Sequence, residues 1–135
     1  MSGKRVKFTQ ILGGLAKVEG SAKLVGSGVE LEMTMTESIT GPVKGVLKRS
    51  LKFTELEDVK YSKRFLKPSV LQFRAVNLDV FSKVPGAYGF EYSVNPENTK
   101  LECMSFVTDI QLAIAEAISN RFTEQLGDSG RPKSV

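Results

Sequence analysis

A strict alternation of apolar and polar residues runs through positions 29–36 and constrains the fold more than any other feature of the sequence. Successive side chains of a β-strand point to opposite faces. The pattern therefore places Val29, Leu31, Met33 and Met35 on one face and glutamates and threonines on the other. A strand that covers a core with one face and meets water with the other is typical of an antiparallel sheet.

Other segments have the composition of strands and turns. The turn residues Gly26-Ser27-Gly28 predict a hairpin into the alternating strand. Further strands are predicted at residues 22–25, 44–53, 57–62, 70–75, 90–94 and 100–106, and residues 77–81 either extend the strand before them or form their own. In the strand at 44–53, Arg49 falls on the inward side, so we expect it near an edge of the sheet.

The last predicted element is an amphipathic helix. Thr108 and Gln111 have the spacing of a capping box, and Gly127 is a typical helix end. Apolar residues recur between them at helical spacing: Ile110, Ala113, Ile114, Ala117, Ile118, Phe122 and Leu126. The chain is therefore predicted to be mainly β, with about seven antiparallel strands and one C-terminal α-helix.

A chain of 135 residues is normally a single domain, which we place at residues 21–126. Residues 1–20 are treated as an N-terminal extension. Val6 and Phe8 could begin a strand there, or could join Ile11, Leu12 and Leu15 in a short helix. Residues 127–135, rich in glycine, proline and serine, are expected to be a disordered tail.

The order of these elements resembles the pleckstrin-homology-like superfamily, including its bacterial and GRAM-type members. The resemblance covers about residues 22–126 and is carried by the alternating strand at 29–36, the basic strand at 44–53, the step at 56–59, the turn at 84–86 and the helix from Thr108. It implies a bent antiparallel sandwich or barrel of seven strands, capped by the helix. The family binds phosphoinositide headgroups through basic residues around its first loop. That loop here is Gly26-Ser27-Gly28 with only Lys23 nearby, so no residue is assigned to such a site.

Composition argues against catalysis. The chain has no histidine, which removes the commonest general base and metal ligand, and its single cysteine, Cys103, lies in an apolar run where we expect it to be buried. The carboxylates Glu55, Glu57 and Asp58 lack the pattern of a calcium loop, while Asp79, Glu91 and Glu102 are scattered. We therefore expect no enzyme activity, no catalytic residue, no metal site and no cofactor.

Residues 60–67 form the sharpest candidate site, because they combine four cations with two aromatic residues. Cations attract phosphate, and an exposed apolar tip could enter a membrane interface. The candidate contacts with an anion or a membrane are Lys60, Lys63, Arg64, Phe65 and Lys67. In the alternative interpretation Tyr61 and Phe65 lie in the core and the cations are solvated, which is the usual fate of a charge run. Lys44, Lys48 and Lys52 are likewise expected to form ordinary pairs with Glu30 and Glu32 on the neighbouring strand.

Three functions remain open at this point. The sequence favours a non-catalytic interaction module that binds protein or associates with its own copies, through sheet edges that need no motif. The second hypothesis is peripheral binding to anionic membrane through residues 60–67, and the third is a small-ligand carrier that uses a barrel interior. The net charge of +4 favours nucleic acid or anionic lipid only slightly, and we do not expect nucleic acid to be a partner. No signal peptide or spanning segment stands out, so the cytoplasm is the expected location.

Overall fold

In a computed structural model the chain forms a seven-stranded antiparallel sheet followed by one long helix. The structure describes residues 4–12, 16–37, 43–84 and 86–128. The strands are β1 (Arg5–Leu12), β2 (Ala16–Val25), β3 (Gly28–Glu37), β4 (Val43–Lys52), β5 (Leu56–Ser62), β6 (Val70–Ala75) and β7 (Glu91–Pro96). A short 3-10 helix, Phe53–Glu55, joins β4 to β5, and the helix α1 is Lys100–Asp128.

The strands lie side by side in the order β4-β3-β2-β1-β7-β6-β5. Strands β1 to β4 follow one another as hairpins, and so do β5 to β7. The two groups meet where β1 pairs with β7, over only two residue pairs, Phe8 with Pro96 and Thr9 with Asn95. In the described part of the chain β4 and β5, at the two ends of this order, do not pair, and the sheet does not close into a barrel.

The sheet is bent so that its two halves face each other across one core. The hydroxyl of Tyr92 on β7 lies 3.1 Å from the sulfur of Met33 on β3. These strands are three places apart in the sheet, which would separate them by about 14 Å if the sheet were flat. The largest side chains that the bend buries are Tyr92, Phe8, Phe73, Phe106, Leu31, Met33, Leu51, Leu56, Leu71 and Ile110.

The alternation that predicted β3 is confirmed. Val29, Leu31 and Met33 are buried, while Glu30 and Glu32 between them are exposed. The tight turn before β3 and the strands at 57–62 and 70–75 are also confirmed, the last with Leu71 and Phe73 inward. Of the strand predicted at 90–94, residues 91–94 lie in β7.

Arg49 lies on an edge strand, as expected, because β4 pairs only with β3 among the described residues. Its guanidinium turns toward the segment that follows β6 and donates hydrogen bonds to the carbonyls of Asp79 and Val80. The backbone carbonyls of that segment thus give polar partners to Nη2 of this inward-facing guanidinium, whereas its buried Nε has no hydrogen-bond partner among the described residues.

The prediction for residues 100–108 is wrong. This segment is the start of α1, and the N-cap is Thr99 rather than Thr108. The Thr99 hydroxyl accepts from the backbone N–H of Glu102 at 3.2 Å, and the Glu102 carboxylate accepts from the backbone N–H of Thr99 at 3.1 Å. This reciprocal pair is a capping box. From Cys103 the buried residues follow helical spacing, through Phe106, Val107, Ile110 and Ile114, so no hairpin crosses residues 95–98.

The structure differs from the predictions at three further places. Residues 5–12 form a strand that pairs with both β2 and β7, so the helical alternative is wrong there, and these residues belong to the sheet. Residues 77–81 form turns rather than a strand, because the Asn77 side chain accepts from the backbone N–H of Asp79 at 2.9 Å. The helix continues to Asp128, two residues past its predicted end at Leu126, and residues 129–135 of the predicted tail lie outside the described residues.

Tyr92 offers a test of how the core is held. Its ring packs against Phe8, Phe73 and Phe81, with centroids 5.9–6.4 Å away, whereas its hydroxyl contacts only a thioether, which is a weak acceptor. We expect Tyr92→Phe to change the free energy of unfolding by less than about 1 kcal/mol. Tyr92→Ala should lower it by about 3–5 kcal/mol, because it leaves a cavity. Urea unfolding of both variants measures the difference, and equal losses would show that the hydroxyl rather than the ring matters.

Candidate functional site

The candidate site is the connection between β5 and β6, and the stem of this hairpin is firmly held. The two strands pair from Leu56 opposite Ala75 to Ser62 opposite Val70. Val59 and Leu71 of the stem are fully buried. At the end of the stem, the side-chain amide of Asn95 donates to the carbonyl of Ser69 at 2.9 Å. Residues 63–69 therefore project from a fixed base.

The apolar residues of this connection point into solvent. Phe65 is 87% exposed and Leu66 is 86% exposed, whereas Tyr61 in the stem packs against the core. The interpretation that placed both aromatic residues in the core is thus correct for Tyr61 and wrong for Phe65. The reason is the length of the stem, since its last residue pair is Ser62 with Val70 and Phe65 lies beyond it. We call residues 63–67 the β5–β6 tip.

The cations around the β5–β6 tip are exposed as well. Lys63, Arg64 and Lys67 lie within it, and Lys60 lies on β5 just before it. Among the described residues, none of these four forms an ion pair with a carboxylate. Other cations of the sheet do: Lys48 lies 3.7 Å from Glu32, and Arg74 binds Glu57 at 2.9 Å and Glu91 at 2.8 Å. The tip therefore keeps its positive charge.

Leu66 adopts a left-handed backbone conformation, with φ of 59°. Glycine takes this conformation freely, but a side chain with a Cβ pays roughly 1–2 kcal/mol of strain there. No other residue of the described chain except glycine has a positive φ. A large apolar side chain is thus kept, in solvent, at a position where glycine would fit better, and such strain is found at functional sites more often than elsewhere.

The other polar candidates have structural partners. The Glu55 carboxylate accepts from the backbone N–H of Lys52 at 2.9 Å, and Asp58 accepts from the backbone N–H of Val59 at 2.8 Å. Glu57 and Glu91 share Arg74. On β4, Lys48 faces Glu32 as expected, while the side chain of Lys44 lies outside the described residues. Across the described ranges, no three cysteine, aspartate or glutamate side chains are grouped to hold a metal ion.

Cys103 is buried, as expected, in the first turn of α1. Its thiol lies 3.7 Å from the carbonyl oxygen of Asn98. Burial and, to a smaller extent, the negative charge of Glu102 raise the pKa of the Cys103 thiol. Because the thiolate is the reactive form, a raised pKa reduces reactivity at neutral pH.

Sequence reasoning missed a second apolar surface. Val76, Leu78, Tyr88 and Phe90 are 48%, 57%, 88% and 39% exposed, and we call them the 76–90 patch. They lie on two separate segments that the fold brings together, since the backbone N–H of Ala75 donates to the carbonyl of Phe90 at 2.8 Å. In the sequence they are isolated apolar residues among turn residues, so only the pairing of β6 with β7 shows that the two segments lie at the same end of one hairpin.

Comparisons of the chain with protein-family models, with curated proteins and with solved structures find no match. Within the ranges that the structure describes, no helix has both the length and the apolar character needed to cross a membrane.

The surroundings of Cys103 lead to a labelling prediction. We expect a small thiol reagent at neutral pH to modify the folded protein at least tenfold more slowly than the urea-unfolded protein, because the thiol is inaccessible and protonated. Mass spectrometry of timed samples measures both rates. Equal rates would contradict the buried position.

Proposed function

We propose that this protein is a non-catalytic interaction module that attaches to anionic membrane surfaces through the β5–β6 tip. The observation that carries this proposal is the exposure of Phe65 and Leu66, 87% and 86%, between cations that have no carboxylate partner among the described residues. Apolar side chains enter the boundary between headgroups and acyl chains, while Lys and Arg beside them attract anionic headgroups.

The expected strength is that of a reversible, peripheral contact. Burying a large apolar side chain contributes roughly 1.5–3 kcal/mol, and each Lys or Arg near an anionic surface adds about 1 kcal/mol. Two apolar residues and the three cations Lys63, Arg64 and Lys67 then supply about 6–9 kcal/mol before the costs of association. Such an interaction depends on anionic lipid and weakens with salt.

The sequence alone favoured a protein partner over a membrane, because sheet edges can pair with another chain without a motif and the basic loop that the family uses for headgroups is absent here. The exposure of Phe65 supports a membrane rather than a protein as the partner that we propose for the tip. The carrier hypothesis finds no support in the described part of the chain, where Phe8, Phe73 and Phe81 surround Tyr92 in the space between the two halves of the sheet.

Membership of the pleckstrin-homology-like superfamily is part of the proposal. The seven antiparallel strands and the C-terminal helix support it. The proposed contact differs from the headgroup loop that this resemblance implies, because the turn between β2 and β3 consists of Gly26 and Ser27 without a basic cluster. We also propose a cytoplasmic location, where anionic leaflets are available.

Vesicle co-sedimentation at low and high salt tests the membrane contact. We expect the native protein to sediment with vesicles that contain phosphatidylserine and to stay in solution with neutral vesicles. The variant K63A/R64A/K67A should lose at least tenfold in affinity. The matched control K83A/K100A/R121A removes three exposed cations from outside the tip and should bind as the native protein does. Equal losses in both variants would reduce the effect to net charge and overturn the proposal.

The Leu66→Gly variant distinguishes the contribution of Leu66 to vesicle binding from its contribution to the stability of the fold. Glycine removes the backbone strain at φ of 59°, so we expect the free energy of unfolding to stay unchanged or to rise by up to about 1 kcal/mol. Loss of an inserted side chain should at the same time weaken vesicle binding by about tenfold or more. Urea unfolding and co-sedimentation measure the two effects. Unchanged vesicle affinity would show that Leu66 does not contact the membrane.

A further inference from the structure

Ser62 carries the only exposed hydroxyl group in residues 60–67. Tyr61 beside it packs against the core, whereas Ser62 is exposed. Ser62 pairs with Val70 in the last residue pair of the β5–β6 stem. The terminal pair of a ladder opens at low cost in free energy, because few contacts hold it. The Ser62 hydroxyl is therefore more accessible to the active site of another protein than a hydroxyl in the middle of the sheet.

Cations surround this hydroxyl. Side chains two residues apart on a strand share a face and lie about 7 Å from each other, so Lys60 is the neighbour of Ser62 on β5. Lys63 and Arg64 follow Ser62 directly in the sequence. The backbone N–H of Lys67 donates to the carbonyl of Arg64 at 3.2 Å, which closes a turn and keeps Lys67 near Arg64.

Carboxylates do not cancel this positive charge. Residues 59–78 contain no aspartate or glutamate. Glu97 follows the end of β7 at this end of the sheet, and among the described residues it forms no ion pair with a cation of the tip. Asp58 lies four residues before Ser62 and accepts from the side-chain amide of Gln111 at 3.2 Å. Four cations and the one carboxylate of Glu97 leave a net charge of +3 around Ser62.

We propose that Ser62 is a phosphorylation site whose modification releases the β5–β6 tip from anionic membranes, an inference that rests on the proposed function. A protein kinase transfers the γ-phosphoryl group of a nucleoside triphosphate to Oγ of Ser62. The bond between the γ-phosphorus and the oxygen of the β-phosphate breaks, and the bond between Oγ and phosphorus forms. The hydroxyl proton goes to solvent and the nucleoside diphosphate leaves.

The phosphate acts on the tip in two ways. A phosphoserine carries a charge of about −1.5 to −2 at neutral pH, which offsets at least half of the positive charge around position 62. Its oxygens also accept charge-assisted hydrogen bonds from Lys60, Lys63 and Arg64, which then bind the phosphate instead of lipid headgroups. Because cations near an anionic surface supply part of the binding energy, phosphorylation weakens the membrane contact.

Ser50 shows why the position in the sheet matters as well as the sequence. It is exposed, and Lys48 and Arg49 precede it, so its sequence neighbours are as basic as those of Ser62. In the sheet, however, Ser50 lies directly opposite Glu30. Like charges at such a position are destabilising, which disfavours a phosphate on Ser50.

Phosphorylation of the folded protein tests the site itself. A panel of serine/threonine kinases that prefer basic sequences is supplied with ATP, and mass spectrometry maps the phosphate. We expect Ser62 to be the main site and the S62A variant to lack this phosphate. Modification of Ser50 in place of Ser62, or no modification of Ser62 by any kinase of the panel, would overturn the assignment.

Vesicle co-sedimentation tests the effect on the tip. Phosphoserine is introduced at position 62 in one protein and at position 82 in the matched control, because Ser82 is exposed and lies beyond the opposite end of β6. With phosphatidylserine vesicles, we expect at least a tenfold loss of affinity for the first protein and less than a threefold loss for the control. The uncharged variant S62N should bind as the native protein does, and all three proteins should melt at the native temperature.

Three outcomes contradict the switch. They are native affinity in the protein that carries phosphoserine at position 62, equal losses in both phosphorylated proteins, and a comparable loss in S62N. Each of them leaves the membrane contact of the unmodified protein intact. Failure of the membrane proposal is distinct, because the unmodified native protein would then stay in solution with phosphatidylserine vesicles.

Discussion

The packing of the Tyr92 ring between the two halves of the sheet is the constraint on which the rest of the structure depends. From β7 the Tyr92 side chain reaches Met33 on β3, which is possible only if the sheet bends between β1 and β7. At this bend just two residue pairs connect the two halves of the sheet. Burial raises the pKa of Tyr92, so its hydroxyl stays protonated in the core. The bend creates one core but leaves β4 and β5 unpaired with each other among the described residues. Helix α1 packs on β5, on the 3-10 turn and on β1, and its own Phe106 and Ile110 are buried.

This arrangement protects the edge of β5. The side-chain amide of Gln111 on α1 donates to the carbonyl of Val59 at 2.9 Å, and Asp58 accepts from the backbone N–H of the same residue. An edge strand normally offers such groups to another chain. Because the backbone carbonyl and N–H of Val59 already have hydrogen-bond partners, the more accessible features of this half of the sheet are the two ends of β6. These are the β5–β6 tip and the 76–90 patch. Both combine exposed apolar side chains with charged neighbours, and for the tip this combination is the basis of the membrane proposal.

Much of the fold could be predicted because several of its strands and turns follow from local sequence patterns. The alternation in β3, the glycine turn before it and the apolar faces of β5 and β6 each depend on neighbouring residues only. The start of α1 was misplaced because Leu101, Cys103 and Ser105 alternate with polar residues or methionine and resemble a strand. The overlooked signal was the capping box of Thr99 and Glu102, which precedes buried positions at helical spacing.

The candidate site was predictable in part. Its cations and aromatic residues are visible in the sequence, but the exposure of Phe65 depends on where the pairing of β5 with β6 ends, and that is set by the register between two strands. The strain at Leu66 and the placement of Val76, Leu78, Tyr88 and Phe90 at one end of the β6–β7 hairpin are likewise properties of the folded chain. No short sequence pattern encodes either of them.

The most direct test places a reporter at the tip. The chain has no tryptophan, so Phe65→Trp introduces a single indole whose emission reports its surroundings, and Tyr88→Trp supplies the matched control in the patch. At a low protein concentration, we expect phosphatidylserine vesicles to shift the emission of Trp at position 65 to shorter wavelength, and brominated acyl chains to quench it. The emission of Trp at position 88 should not change. A water-like emission from position 65 at saturating vesicles would contradict the insertion of the tip.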